Sequence, residues 1–224
     1  MGLFHRRTTK TLLDKLTKSV IFLQLHALTI LRNPHGNFPS RTSSVINLGL
    51  LMKEKATQTI VILGSSRSNG NTLEAVNTVI QQKNVEIVDL KTLNISYFDY
   101  DHANDHDDFL PLAQKMVKHE TIILATPVYW YLMSAIMKTF LDRWSDLITI
   151  HKEIGRKLAR KNLYVIASYG GEFPLGFENS FRLTCSYLKM HYGGCYFHYR
   201  GKDPQQLQQN EHHAKGFKAL ISAK

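Results

Sequence analysis

The chain has 224 residues, 43% of them apolar and 21% charged, with a formal net charge of +10. That length suits one domain of ordinary size with a well-filled core, and the composition excludes global disorder. Two cysteines, Cys185 and Cys195, exclude a disulfide framework and a four-ligand zinc site, so a reduced, cytoplasmic setting is expected.

Residues 1–51 carry seven basic residues (Arg6, Arg7, Lys10, Lys15, Lys18, Arg32 and Arg41) against one acid, Asp14. No basic run is interleaved with aromatics as single-strand binding requires, so no nucleic-acid partner is expected. The apolar stretch "VIFLQLHALTIL" (20–31) is about half a membrane span and contains Gln24 and His26, so no membrane helix is expected. Three readings compete for this region: a transit-type leader, a stretch upstream of an effective start at Met52, or a helix packed on the domain. The second fits best, because Met52 lies a few residues before the first strand. It makes 1–51 a basic extension, dispensable or poorly ordered, and 52–224 the folded domain.

A β/α alternation starts near residue 58. The run "TIVIL" (59–63) reads as a strand buried on both faces. In "NTLEAVNTVIQQ" (71–82) the apolar residues Leu73, Val76, Val79 and Ile80 have helical spacing. "VEIVDL" (85–90) reads as a strand, "FLPLAQKMVKH" (109–119) as a helix with Pro111 in its first turn, and "TIILA" (121–125) as a strand. The clearest helix is "MSAIMKTFLDRWSDL" (133–147), with Met133, Ile136, Met137, Phe140, Leu141 and Trp144 on one face. "LYVIAS" (163–168) and "CYFHY" (195–199) complete five strands, with a helix at 177–191 between them. Short strands separated by helices predict a parallel sheet covered on both faces.

Ligands of such sheets sit beyond the carboxyl ends of the strands. "GSSRSNGNT" (64–72) lies there and leads into a helix whose Asn71 and Glu74 have the spacing of a capping box. Its glycines permit tight backbone, Ser65, Ser66, Ser68 and Thr72 bring hydroxyls, and Arg67 brings a charged fork. The stretch suits a dianionic phosphate at a helix N-terminus. Walker A spacing fails, with Asn71 where its lysine belongs, and G-x-G-x-x-G is absent, so one terminal monophosphate is favoured over a nucleoside triphosphate. An ordinary polar βα loop remains the plainer alternative, although such loops are usually shorter.

Two further stretches occupy the same sheet edge. In "TPVYWYLMSAIMKTFLDRW" (126–144), Pro127 is placed where the third strand ends, and Tyr129, Trp130 and Tyr131 offer flat surfaces for a ring. They serve equally well as core or subunit contacts. In "SYGGE" (168–172), Gly170 and Gly171 allow a planar ligand to approach the backbone, or simply make a turn.

Together, in this order and at these separations, "GSSRSNGNT", "TPVYWYLMSAIMKTFLDRW" and "SYGG" resemble the flavodoxin-like NAD(P)H-dependent oxidoreductases of the FMN reductase family, over about residues 57–200. The resemblance implies a flavodoxin-like three-layer sandwich with a five-stranded parallel sheet in order 2-1-3-4-5. It implies FMN, with its phosphate at Ser65, Ser66, Arg67, Ser68, Asn71 and Thr72. Its ring would lie against Pro127, Val128, Tyr129 and Trp130, with Tyr169, Gly170 and Gly171 on the other flank. Lys138 and Asp142 match the family's K-x-x-x-D as scaffold. Some relatives place cysteines for an iron–sulfur centre where this chain has "NISYFDYDHANDHDDF" (94–109), which contains none. Its acids and histidines fit no EF-hand or zinc spacing, so a solvated acidic loop without metal is expected there, and His102, His106, His212 and His213 are expected on the surface.

The implied activity is hydride transfer from NADH or NADPH to FMN, then electrons onward to a small acceptor such as a quinone or free flavin, with no acid–base residues required. The alternative is a flavodoxin-type electron carrier, which is usually strongly acidic where this chain is basic. A regulatory module without flavin is a third reading. Relatives also suggest a homodimer.

Overall fold

The structure is a computed structural model that describes residues 59–80 and 85–222. The readings of residues 1–51 as an extension and of Met52 as a start lie outside those residues.

Five strands run parallel in the order β2 (Glu86–Asp89), β1 (Thr59–Leu63), β3 (Thr121–Tyr129), β5 (Asn162–Tyr169), β6 (His191–Tyr199). Without the two-residue β4 (Leu132–Met133), which folds back antiparallel on β3, this is the expected 2-1-3-4-5 sheet. The central strands β1, β3 and β5 are legible because both faces are buried. Ile60, Val61 and Ile62 are wholly inaccessible, as are Ile122, Ile123 and Leu124. On one face Ile60, Ile62, Ile122, Leu124 and Val165 pack against α2 (Phe109–Met116), α3 (Ala135–Asp142) and α4 (Asn179–Tyr187). On the other, Val61, Ile123 and Ile166 pack against α1 (Asn71–Val79) and α5 (Pro204–Ser222). Each such side chain contributes about 1.5–3 kcal/mol of transfer free energy. The result is the expected three-layer sandwich.

Several elements differ from the sequence reading. β3 does not end at residue 125 but continues through Pro127 to Tyr129. A proline is tolerated in this central strand because β1 has already stopped. The Ala125 carbonyl, which accepts from Gly64 N at 2.8 Å, faces β1, so the Pro127 nitrogen, two residues on, faces the side where β1's ladder is over. β6 begins four residues earlier than expected, at His191, because a bulge carries the strand across two glycines. Leu163 pairs with Tyr192 and Tyr164 with Gly194, leaving Gly193 unpaired. A Cβ at Gly193 would run into the Tyr164 ring, and Gly194 has φ 118°. The extra residue returns Cys195 and Phe197 to the α4 face and Tyr196 to the α5 face. Helix α5 was not foreseen. Its start is capped by Asp203, whose Oδ1 accepts from Gln205 N at 2.9 Å ahead of Pro204.

The loop at 94–109 is not merely solvated. Arg143, 1% exposed, lies at its centre. The guanidinium pairs with Asp107, donates through Nε to Asp146 Oδ2 at 2.7 Å, and donates to the Ser96 carbonyl at 3.2 Å. His102, expected on the surface, is only partly exposed and holds Nδ1 3.0 Å from Asp146 Oδ1. Asp99 and Asp108 accept from backbone amides within the same loop. The acids are there to satisfy a buried cation and turn amides, which composition alone does not reveal. Lys138 and Asp142 form an exposed i, i+4 ion pair, as scaffold residues would.

Candidate functional site

The loops following β1, β3 and β5 meet at the carboxyl edge of the sheet, where the strand order reverses between β1 and β3. Two hydrogen bonds between buried groups hold them together. Thr72 Oγ1, at the start of α1, lies 2.8 Å from Ser168 Oγ at the end of β5. Ser134 Oγ donates to the Gly64 carbonyl at 2.6 Å while accepting from Met137 N at 3.2 Å, so one hydroxyl caps α3 and fastens it to the exit of β1. Gly64 permits this approach, since a Cβ there would stand 2.9 Å from Met137 Cβ. Neither Ser134 nor Ser168 was among the residues expected at the site. A serine directly before an apolar helical pattern was the available signal for Ser134.

The expected capping box at Asn71 and Glu74 does not form. Gly70 occupies the N-cap position in an extended conformation (φ −110°, ψ −170°), Asn71 is already helical, and no side chain caps the helix. Glu74 turns instead to Arg200, which donates to it through Nη1 at 2.8 Å. The reason is register: glycine offers no side chain to hold, and the helix starts one residue early. The consequence favours an anion. The first intrahelical bond runs from Glu74 N to the Gly70 carbonyl at 3.1 Å, so the amides of Asn71, Thr72 and Leu73 have no acceptor within the helix. These amides, the positive end of the helix dipole and the exposed Arg67 lie together.

Within this loop, Ser65 is buried and its Oγ accepts from Arg67 N at 3.4 Å. Ser66 is exposed, Ser68 half-buried and Asn71 exposed. Thr72 is 1% exposed with its hydroxyl engaged by Ser168, which leaves its amide as the group presented outward.

On the neighbouring edge, Pro127 is buried, Val128 half-buried, and Tyr129, Trp130 and Tyr131 exposed. Trp130 and Tyr131 form the two-residue turn between β3 and β4, with φ of 50° and 65°. Two bulky residues in the left-handed region cost on the order of 1–3 kcal/mol each, a strain of the kind found at ligand clamps. The turn lacks the Asn-Gly signature, so no local signal marks a hairpin here. Across the mouth, Gly170 and Gly171 are exposed, and a Cβ at Gly171 would meet nothing within 4 Å. Tyr169 stands behind them, donating to Gln206 Oε1 at 3.3 Å; burial, then the neighbouring Tyr199, pushes its phenol up, so it stays a proton donor.

An uncapped helix start with clustered hydroxyls, a strained aromatic turn and an open glycine pair fit a flat ring carrying one phosphate. Among the described residues no group of three or more His, Cys, Asp or Glu is placed to hold a metal, and no helix is long and apolar enough to cross a membrane.

Comparisons with known proteins point the same way. A sequence-family profile described as NADPH-dependent FMN reductase matches residues 57–203. The chain is 32% identical over 122 residues to YwqN of Bacillus subtilis (strain 168), provisionally named an NAD(P)H-dependent FMN-containing oxidoreductase; the match covers 51% of this chain and 67% of that one. Among solved structures, it is similar to the Trp repressor binding protein of Bacillus subtilis, with TM-score 0.59 and 23% identity over 73% of this chain and 97% of that one. It is also similar to an FMN-dependent NADH-azoreductase from Bacillus anthracis str. Ames Ancestor in complex with FMN, with TM-score 0.55 and 12% identity over 74% and 99% of the two chains. The two structural likenesses bear on the fold.

Proposed function

The chain belongs to the NADPH-dependent FMN reductase family, and from that premise we propose that it reduces a small quinone or a free flavin at the expense of a nicotinamide dinucleotide. It is an FMN-dependent oxidoreductase with NADH or NADPH as electron donor. When bound, FMN supplies the hydride and electron chemistry. The chain's own residues bind, orient and shield. Asn71, Thr72 and Leu73 offer main-chain amides to the phosphate, with Ser65, Ser66 and Ser68 as hydroxyl partners and Arg67 as the balancing cation. Pro127, Val128, Tyr129 and Trp130 form one wall for the ring, while Tyr169, Gly170 and Gly171 form the other.

The observation that supports this reading most directly is the convergence of the three loops, fastened by the Thr72–Ser168 and Ser134–Gly64 bonds. Such fastening makes the mouth rigid before ligand arrives, which lowers the ordering cost of binding. The exposed Tyr129, Trp130, Tyr131 and Leu132 form an apolar edge that a second copy of the chain would cover, which favours a homodimer. Light scattering at micromolar concentration tests that part, and a monomer mass refutes it.

The main test uses purified full-length protein. FMN at about one per chain, bleached by NADH or NADPH without oxygen and restored by a quinone or by free flavin, is the expected result. Bound FMN that neither dinucleotide bleaches supports the electron-carrier alternative instead. Protein that takes up no flavin overturns both.

A further inference from the structure

A cavity of about 910 Å³ lies along the outer edge of β6, between α5 and the loop that follows β5, and borders the mouth at Tyr169. Its size falls in the range of small-molecule sites. One wall is aromatic: the Phe173 and Phe197 rings sit 4.8 Å apart, with Tyr169 edge-on to both at 6.0 and 6.2 Å. The opposite wall is α5, where Phe217 and Leu220 face inward and Tyr196 lies 5.8 Å from the Phe217 ring.

The charged lining is acidic: Glu172 and Glu178 contribute carboxylates and His212 and His213 imidazoles, and among the described residues lining the cavity there is no lysine or arginine. Tyr192 donates to Glu178 Oε1 at 2.7 Å, and no hydrogen bond to its second oxygen is present among the described residues. Gln206 and Gln209 add neutral donors and acceptors from α5. Aromatic faces beside carboxylates, with neither lysine nor arginine in the lining, favour a positively charged aromatic ligand over a phosphate where the imidazoles are neutral. The phosphate-bearing FMN and dinucleotide therefore do not belong here.

We propose that this cavity is a second ligand site, for a small aromatic cation such as an aryl ammonium. It does not depend on the assignment of the flavin mouth, with which it shares only Tyr169. Gly216 supplies the means to test it. This helical glycine lines the cavity, and a Cβ built on it meets nothing within 4 Å, so a longer side chain grows into open space. Gly216→Leu narrows the cavity from its α5 wall without disturbing the core, and removing a helical glycine favours the helix.

The experiment is calorimetric titration of full-length, FMN-loaded protein with benzyltrimethylammonium, and with benzylsulfonate as the anionic counterpart. Saturable binding of the ammonium at one per chain is expected, with no binding of the sulfonate. In Gly216→Leu the ammonium binds about tenfold or more weakly, while the melting temperature is unchanged or higher. The proposal is overturned by absence of saturation up to about 10 mM, a Kd weaker than any useful site. Equal binding of both probes also overturns it, as does undiminished binding to a folded Gly216→Leu protein.

Discussion

Truncating Arg67 isolates one interaction between the protein and the phosphate. The side chain is exposed and, among the described residues, its guanidinium forms neither a hydrogen bond nor an ion pair with the protein; its Cβ and Nε lie beside Gly70. Arg67→Ala therefore strands no buried partner, and its effect on stability should stay within about 0.5 kcal/mol. Under the proposed placement of FMN, what it removes is a charge-assisted hydrogen bond to a dianion, worth about 1.5–3 kcal/mol, or about a 10- to 150-fold rise in Kd. Quenching of flavin fluorescence on titration into apoprotein measures this directly, with riboflavin as the control because it lacks the phosphate. FMN affinity should fall by that factor while riboflavin affinity stays put. An equal loss for both would mean that Arg67 shapes the ring site or the loop. No loss for either would remove Arg67 from the site.

Thr72→Val keeps the shape of a buried side chain but leaves the Ser168 hydroxyl without its partner at 2.8 Å, so stability falls by about 1–3 kcal/mol in urea denaturation; pairing it with Ser168→Ala should recover most of the loss. Arg143→Met leaves Asp107 and Asp146, with side chains 5% and 2% exposed, without their shared arginine, and should cost about 3–5 kcal/mol; a cost below about 1 kcal/mol would show that the network is dispensable. Burial holds the His198 imidazole below its ordinary 6.5, against a raising effect of Glu74 and alongside a lowering effect of Arg200. The unfolded chain thus takes up this proton first as pH falls, so the stabilisation is complete above about 6.5 and is lost below it. Unfolding midpoints measured from about pH 7 to pH 5 should drop less steeply in His198→Asn than in the parent; parallel slopes would refute that assignment.

The central strands β1, β3 and β5 are readable because their runs of Ile, Val and Leu are buried on both faces, so that register and neighbours hardly matter to the pattern. Elements that depend on distant partners were not readable. The β3–β4 hairpin turns on Trp130 and Tyr131, whose left-handed backbone no local propensity favours. Helix α5 buries only Asn210, Ala214 and Phe217, a stripe too sparse to register as periodicity although the Asp203–Pro204 start was present. Arg143 looked like any helix arginine until the fold brought Asp107 and Asp146 to it. At the mouth, residue chemistry pointed to the right loops, while the one-residue error at Gly70 misassigned Asn71 and Glu74. Caps are decided by a single dihedral transition, which residue identity biases without determining.

The kink at Gly193 governs how the molecule tolerates crowding. Among the described residues β6 ends the sheet, and a straight terminal strand would hold out an even row of amides on which another extended chain could stack, the first step toward a fibril. The surplus residue breaks that even spacing near the strand's start and shortens the regular row to Gly194–Tyr199. Because the Tyr164 ring occupies the space where a side chain at 193 would go, the same contact that packs the interior also keeps the rim from templating growth.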